Sequence, residues 1–384
     1  MEKKKLSLFL YLFLVLLLAG FLFSPATADP TVGSTTPEIV VGVKPGDWAG
    51  YGNISVEYAA NWPGLEQEPP ETNMSWVSME ILDVQNNNVT IRGSTIYANG
   101  TEETEVLWKD LVNGEGLLGI TIIPSNLGAG DEIPAEFYGL FFVIQPPPQN
   151  ISKFVINGTT TRKYAGANRE VNYINFSSTI IFSNITLGAS NTSYYWDKNT
   201  GVLCEHSGSC TMAYGTELYI NMSASWRMTA TNMWPAVFTV QDGYTFDITM
   251  LSNSTISDFN FSEPLMQISF NVTGPSDKPG YCKVTIPNEL LQGSPWTILL
   301  NSIDWTTMSS ITENATHTTI YIPYTWNIIY GQAISTNTIE IKGTSVIPEF
   351  SHIAILLLLV IGTLAAIVSK RKVNKKTSLV VQYI

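Results

Sequence analysis

The sequence predicts an all-β protein: an antiparallel β meander, curved into a half-barrel or barrel, followed by an immunoglobulin-like β-sandwich and a C-terminal transmembrane helix. Three observations favour strands. Apolar and polar residues alternate at every second position, as over residues 219–226. Val, Ile, Thr, Tyr and Trp fill these segments, and Asn-Gly pairs typical of hairpin turns separate them, as at residues 99–100. No amphipathic helical pattern persists for three turns, so only a short helix over residues 117–126 is expected.

The first 28 residues are predicted to form a secretory signal peptide. Three lysines at residues 3–5 precede an apolar run over residues 6–23, and Ala-Thr-Ala at residues 26–28 supplies the small residues of a cleavage site. The apolar run is long for a signal peptide, so a signal anchor that stays in the membrane is the alternative. Either interpretation places the following chain outside the cytoplasm.

Two β domains are predicted next, over residues 29–235 and 236–346. The boundary is a change in composition at Trp234 and Pro235, between a long strand that ends near Thr231 and a new strand at Val237. Turn residues in the second domain recur at the spacing of short sandwich strands.

Residues 347–372 are predicted to contain a sorting-like motif, a membrane span and its basic stop. Residues 353–369 are uncharged and apolar, and at about 1.5 Å per residue they just cross a bilayer core of roughly 30 Å. The basic residues after the span, at 370–372 and 375–376, favour a cytoplasmic tail over residues 373–384. A buried core helix is the alternative. We therefore expect a cell-membrane protein with an extracellular ectodomain.

The charge distribution excludes one class of partner. The chain of 384 residues has a net charge of −12, and eight of its 20 Lys and Arg lie near the two termini. The segment between them, residues 6–369, has 12 basic and 31 acidic residues. Such an acidic segment lacks the basic patch that nucleic-acid binding requires, whereas it favours solubility.

N-glycosylation sequons are over-represented. Half of the 28 asparagines are followed one residue later by Ser or Thr without an intervening Pro, about three times the chance expectation. All of them lie between the two apolar ends, as export of that segment requires. The predicted glycosylation sites are Asn53, Asn73, Asn88, Asn99, Asn150, Asn157, Asn175, Asn184, Asn191, Asn221, Asn253, Asn260, Asn271 and Asn314.

The three cysteines suggest one local disulfide. Cys204 and Cys210 flank a Glu-His-Ser-Gly-Ser stretch that favours a turn between two strands, so a bridge between them is expected in an oxidising compartment. Cys282 is then a buried free thiol or a partner for one of the other two across domains.

The sequence offers little material for catalysis, and we expect no enzyme, cofactor or metal site. It has only three histidines, at 206, 317 and 352, and neither a Gly-rich phosphate loop nor a G-x-S-x-G motif. A glycosidase stays open, because two carboxylates can converge from distant positions. The acidic loop with Asp131, Glu132 and Glu136 is better explained by solvation, and Asp197 by capping of its turn.

Aromatic residues next to turns are the candidates for stacking on sugar rings. Trp48, Trp62 and Trp196 have such neighbours, whereas a strand-borne tryptophan such as Trp226 is expected in the core.

Three segments resemble known archaeal proteins. Residues 41–48 (VGVKPGDW), with residues 195–203 (YWDKNTGVL), are similar to a family of uncharacterised exported archaeal proteins. Residues 267–287 resemble a β domain found just outside the membrane in archaeal surface proteins. The Ile-Pro-Glu-Phe at residues 347–350, before the apolar span, resembles the Pro-Glu-Phe sorting signal of archaeosortase-type enzymes. These resemblances imply a surface protein and bring no known activity. The long tail after the basic cluster departs from that signal, so retention of the span is an alternative to cleavage.

We therefore expect a structural, adhesive or glycan-binding surface protein, with a glycan or another surface protein as partner and the membrane as its anchor. The alternative is an extracytoplasmic carrier that holds an apolar ligand in the curved sheet of the first domain. A large apolar cavity would favour the carrier, exposed Trp and Tyr the glycan binder, and a cleft with facing carboxylates the enzyme.

Overall fold

A computed structural model describes residues 39–61, 66–116, 121–134, 153–182, 185–215, 217–242, 244–276, 278–325, 333–346 and 359–367. The predicted signal peptide, the sorting-like motif and the tail lie outside these residues. The described chain is all-β, with antiparallel pairing throughout.

Two groups of strands build the molecule. The first group is β1 (Trp48–Ala60), β2 (Met74–Gln85), β3 (Asn88–Tyr97), β4 (Glu102–Asp110), β5 (Glu132–Pro134), β6 (Lys153–Val155), β7 (Gly158–Tyr164), β8 (Ala167–Phe182), β9 (Ile185–Asp197), β10 (Leu203–Tyr214) and β11 (Leu218–Asp242). The second group is β12 (Tyr244–Ser252), β13 (Thr255–Ser262), β14 (Gln267–Pro275), β15 (Pro279–Pro287), β16 (Leu291–Gln292), β17 (Thr297–Leu300), β18 (Ile303–Asp304), β19 (Ser310–Glu313), β20 (His317–Thr325), β21 (Ile334–Lys342) and β22 (Ser345–Val346). Short 3-10 turns occupy Pro70–Asn73 and Thr306–Met308.

The first unit is a curved antiparallel sheet with the strand order β4-β3-β2-β1-β11-β10-β9-β8-β7. Ile91 and Leu107, near one end of this order, and Tyr164 and Val171, near the other end, belong to the same cluster of buried side chains. Strands that lie so far apart in a sheet can share a core only if the sheet curves around it. We call the face that contacts this core the inner face and the opposite face the outer face.

The second unit has two sheets that share one core. Strands β12, β15, β20 and β19 extend the large sheet beyond β11, and a separate sheet has the order β13-β14-β21-β17-β18. Ile248 and Val284 from the first of these sheets, and Phe270 and Ile339 from the second, belong to one buried cluster. The burial of every second residue along β14 and β15 explains how each sheet supplies one apolar face.

The two units are joined by a single strand, which corrects one expectation. A strand end near Thr231 and a new strand at Val237 are predicted, but β11 runs without a break from Leu218 to Asp242. Its pairing with β12 is irregular between Thr231 and Ala236, around Pro235. Proline has no N–H to donate to a sheet, so the register changes there instead of the strand ending.

A third, smaller cluster lies where the second unit covers the outer face of the first. Trp76, Ile96 and Ala230 of the first unit pack there with Ala333 of the second, next to Trp48. The contact explains why Trp76 is buried although it lies on the outer face.

Two predicted helices have different outcomes. Of the short helix expected over residues 117–126, residues 117–120 lie outside the described residues. Residues 121–126 form bends and isolated bridges, not a helix, because Ile122 pairs with Val202 and Ser125 with Val40. Residues 359–367 are helical and exposed, while the rest of the predicted span over residues 353–369 lies outside the described part of the chain. Among the residues that can be described, no helix has the length and apolar character needed to cross a membrane.

Candidate functional site

A groove of about 580 Å³ lies between the two units and is the candidate binding site. Its floor is the outer face of β1–β4, and its far wall comes from the second unit. Cross-strand pairing sets the floor residues in three rows that run across the strands. The rows are Trp48, Glu80, Arg92 and Val106; Gly50, Ser78, Ser94 and Thr104; and Trp76, Ile96 and Glu102.

The middle row makes a trough, because its residues are small while both neighbouring rows have large side chains. The open part of the row, from Ser78 to Thr104, crosses three strands, which at roughly 4.8 Å per strand gives a length of about 10 Å. Ser94 and Thr104 are linked through their hydroxyls at 3.1 Å. A Cβ on Gly50 would lie 2.5 Å from Trp76 Cζ2 and 2.6 Å from Trp48 Cη2. Glycine at this position therefore makes room for both indoles.

The backbone of Trp48 is fixed by the end of β11. Its N–H donates to Asn232 Oδ1 at 2.7 Å, and its carbonyl accepts from Thr231 Oγ1 at 2.6 Å. The amide of Asn232 in turn donates to the Gly46 carbonyl at 2.7 Å. The Trp48 side chain is half-buried, so part of its indole faces the groove.

The wall from the second unit consists of Asn253 and Ser254 between β12 and β13, together with Lys278, Pro279 and Tyr281 near β15. The Tyr281 ring stacks on Tyr321, with ring centroids 5.8 Å apart. Burial raises the pKa of Tyr281, and its neighbours Tyr321 and Cys282 raise it further. Tyr281 thus stays a neutral hydroxyl that can donate a hydrogen bond.

The groove's charged side chains are paired. Arg92 contacts Glu80 at 2.9 Å on the floor, and Lys278 contacts Glu102 at 2.7 Å across the two units. Each carboxylate in the groove therefore has a cationic partner. This pairing gives no support to a glycosidase, which needs one protonated and one free carboxyl facing each other.

An apolar cavity lies inside the first unit between Tyr51, Met79 and Trp226, but its volume is only about 30 Å³. Such a space holds about one water molecule, whereas ligand pockets measure about 300–1,000 Å³. This cavity is therefore too small for the ligand that the carrier alternative requires.

The three predicted stacking residues have different outcomes. Trp48 lines the groove, Trp62 lies outside the described residues, and Trp196 is only 1% exposed. The prediction for Trp196 is wrong, because this residue of β9 points to the inner face despite its neighbouring turn. Sequence reasoning also missed Trp76, Arg92 and Tyr281, whose place in the groove depends on how strands from distant parts of the chain come together.

The predicted glycosylation sites lie mostly on the surface. Asn150 and Asn184 lie outside the described residues, and none of the other twelve is buried. The exposed ones are Asn53, Asn73, Asn88, Asn99, Asn157, Asn175, Asn191, Asn221, Asn260 and Asn314. Asn253 and Asn271 are half-buried.

Three exposed sequons lie in the middle of strands on the outer face of β8–β11. Asn175 pairs with Ser193, Asn191 with Ser209, and Asn221 with Thr211, so all three asparagines point away from the core. Their neighbours on this face are mostly serines and threonines. None of the groove residues that β1–β4 contribute is a sequon asparagine.

The predicted disulfide between Cys204 and Cys210 is wrong. Both residues lie on the continuous strand β10, six positions apart, so their Cα atoms are separated by roughly 20 Å. A disulfide needs Cα atoms within about 7 Å. Cys204, Cys210 and Cys282 are buried free thiols, and burial raises the pKa of each.

His206 points to the inner face of β10 between two aromatic rings. Its ring centroid is 4.5 Å from that of Tyr194 and 4.2 Å from that of Trp226, and the residue is 4% exposed. Burial lowers the pKa of His206 to about 3, although a hydrogen bond to the backbone of Ser193 raises it slightly. Its Nδ1 has no hydrogen-bond partner in the described structure.

The acidic candidates have structural roles. Asp197 accepts from the backbone N–H of Thr200 at 2.9 Å, as predicted for a turn cap, and also binds Arg169 at 2.7 Å. Asp131 accepts from the Gly128 N–H, Glu132 contacts Lys153, and Glu136 lies outside the described residues. Within the described ranges, no three His, Cys, Asp or Glu side chains converge in a way that could hold a metal ion.

No family model, curated protein or solved structure matches the chain significantly.

Proposed function

We propose that this chain is a cell-surface glycoprotein whose groove between the two units binds a saccharide. The observation behind this proposal is the trough on β1–β4, where the hydroxyls of Ser78, Ser94 and Thr104 lie next to a row with Trp48 and the paired charges of Glu80 and Arg92. Sugars combine an apolar ring face with several hydroxyls, so a half-buried tryptophan and neighbouring Ser, Thr, Arg and Glu side chains suit them.

The shape of the trough favours a linear oligosaccharide. The small residues Ser78, Ser94 and Thr104 lie in one line across three strands, and at the fourth strand the indoles of Trp48 and Trp76 occupy the space above Gly50. A bulky branched group would collide with the large side chains of the two flanking rows. The paired charges favour an uncharged sugar chain, because a charged one would have to compete with Glu80 for Arg92 or with Glu102 for Lys278.

The location at the cell surface is part of the same proposal. Its support is the predicted signal peptide, the absence of burial at the twelve described sequon asparagines, and the apolar segment with basic residues after it. We further propose that the second unit is an immunoglobulin-like sandwich that lies nearest the bilayer, with residues 353–369 as the membrane span. The resemblance to archaeal surface proteins agrees with this arrangement.

The test is a binding measurement on the full chain, purified in detergent from a host that performs N-glycosylation. A panel of neutral and acidic oligosaccharides identifies the ligand, and Trp48→Ala is compared with Tyr214→Ala. Tyr214 is an exposed aromatic residue at the end of β10, 52% exposed and not part of the groove lining. We expect Trp48→Ala to weaken binding about tenfold or more, as for other central aromatic contacts, and Tyr214→Ala to leave it unchanged. Equal affinities of the two variants would contradict the proposal.

A further inference from the structure

One predicted glycosylation site lies in the wall of the groove. Asn253 follows β12 directly and is half-buried, and Thr255 completes its sequon at the start of β13. The ten exposed sequon asparagines lie elsewhere on the surface, so Asn253 has a different environment from theirs.

The Asn253 side-chain amide is bonded to the backbone of the neighbouring strand at both of its polar atoms. Its Nδ2 donates to the Pro279 carbonyl at 2.9 Å, and its Oδ1 accepts from the Tyr281 N–H at 2.9 Å. These two partners flank Gly280. The Oδ1 and Nδ2 atoms of the amide therefore both face the backbone of residues 279–281. The side chain thereby fixes the backbone from which Tyr281 extends to the groove.

N-glycosylation would need that same edge. The reaction replaces one hydrogen of Nδ2 by the anomeric carbon of the sugar, and the product is a secondary amide. Secondary amides strongly prefer the trans form, which places the new carbon opposite Cβ and therefore beside Oδ1. At Asn253 this position is filled by the backbone of residues 279–281. A glycan on Asn253 and the observed pair of hydrogen bonds are therefore mutually exclusive.

The other half-buried sequon shows that burial alone does not impose this conflict. Asn271 donates to Asp258 Oδ2 at 2.8 Å and accepts from Thr338 Oγ1 at 2.8 Å. Both of these partners are side chains, which can rotate away, whereas the partners of Asn253 are main-chain atoms within or next to β15.

We infer that Asn253 carries no glycan in the folded protein and acts instead as a positioning residue of the groove wall. This inference rests on the proposed function, since it assumes that the groove binds a saccharide and that exposed sequons are used. Through its hydrogen bonds to the backbone of Pro279 and Tyr281, Asn253 fixes the position of the groove wall relative to the floor on β1–β4.

The first experiment measures sequon occupancy by glycopeptide mass spectrometry on the full chain from a glycosylating host. We expect an unmodified Asn253 beside an occupied Asn99, an exposed site in the turn between β3 and β4. Occupancy of Asn253 comparable to that of Asn99 overturns the inference. If Asn99 and all other sequons are unmodified, the proposed glycoprotein itself is wrong, and the Asn253→Asp variant then decides the positioning role of Asn253.

The second experiment separates the amide from the sequon by measuring saccharide affinity. Thr255→Val destroys the sequon but retains the Asn253 amide, and Thr229→Val is its matched control. Each variant removes the same 2.8 Å hydrogen bond between Thr255 and Thr229. We expect these two variants to bind alike. A larger loss for Thr255→Val than for Thr229→Val overturns the inference, because a glycan on Asn253 would then be contributing.

Asn253→Asp tests the positioning role directly. The carboxylate has the size of the amide but cannot donate to the Pro279 carbonyl, so we expect a loss of saccharide affinity of about tenfold. Circular dichroism confirms that the variant is folded. A folded Asn253→Asp protein with wild-type affinity overturns the positioning role. Absence of saccharide binding by the wild-type protein would contradict the proposed function alone, because sequon occupancy is measured independently.

Discussion

The outer faces of β1–β4 and of β8–β11 belong to one sheet, yet they are built for different contacts. The first face has Trp48, Trp76 and a row of small residues, and the second unit covers part of it. The second face has Ser, Thr and three sequon asparagines in mid-strand positions. A β-sheet fixes only the alternation of its side chains, so the choice of outer-face residues decides which region can bind a ligand and which can bear glycans.

The difference also concerns what lies beneath each face. Under β8–β11 the inner face includes the buried His206, while the described part of β1–β4 contains no histidine. A buried histidine makes the stability of the fold depend on pH in the acidic range, where its charged form is disfavoured.

The largest expected effect is loss of stability in acid. The pKa of His206 is about 3 in the folded state, below the usual value near 6.5 in the unfolded chain. The unfolded state therefore binds a proton first as the pH falls, and unfolding becomes easier between about pH 6.5 and pH 3, by about 1.4 kcal/mol per pH unit. Above pH 6.5 the imidazole is neutral in both states and this contribution disappears.

Chemical denaturation at a series of pH values measures this dependence. His206→Phe preserves an aromatic ring between Tyr194 and Trp226, so we expect its stability to fall less steeply over the same pH range. If the unfolding free energies of the wild-type protein and the variant fall equally steeply with pH, His206 is not the group that causes the acid sensitivity.

Overpacking of the groove floor is the second prediction. In Gly50→Ala the new Cβ would approach both indoles to within 2.6 Å, so at least one of them must move. We expect a cost of about 1–3 kcal/mol in unfolding free energy, together with loss of saccharide binding.

Gly52→Ala is the control on the same strand, because its Cβ would come no closer than 3.0 Å to Thr229 and 3.6 Å to Trp76. Urea denaturation and a binding titration measure both variants. If Gly50→Ala has the same unfolding free energy and the same saccharide affinity as Gly52→Ala, the packing of the two indoles is not what shapes the groove.

The smallest effect is expected from the sequon face. Replacement of Asn175, Asn191 and Asn221 by Gln should remove three glycans, seen as a fall in mass, while saccharide affinity stays unchanged. Each exposed substitution should alter stability by about 0.5 kcal/mol or less. Reduced affinity of the triple variant would show that this face takes part in binding.

Local patterns in the sequence predicted much of the fold. Alternation over residues 219–226 lies within β11, where Ile220, Ala224 and Trp226 are buried. The Asn99–Gly100 turn connects β3 to β4, and Asp197 caps its turn. These features depend on neighbours along the chain, which the sequence displays directly.

The failed predictions concern arrangements set by tertiary contacts. The stretch between Cys204 and Cys210 contains turn-forming residues, but pairing with β9 on one side and β11 on the other extends it into a strand. Trp196 is a second example. Its neighbours along the chain form a turn, but the curved sheet buries its side chain. The groove depends on the second unit's position over β1–β4, so Trp48 could be suggested from sequence but its neighbours Trp76 and Tyr281 could not.

The most direct test of the central claim is hydrogen–deuterium exchange of the full chain with and without the oligosaccharide that binds best. The account predicts slower exchange on binding in peptides from β1, β2 and β3 and from residues 278–287, with no change in peptides from β8, β9 and β10. Protection confined to β8–β10, or no protection in the groove at saturating ligand, would contradict it.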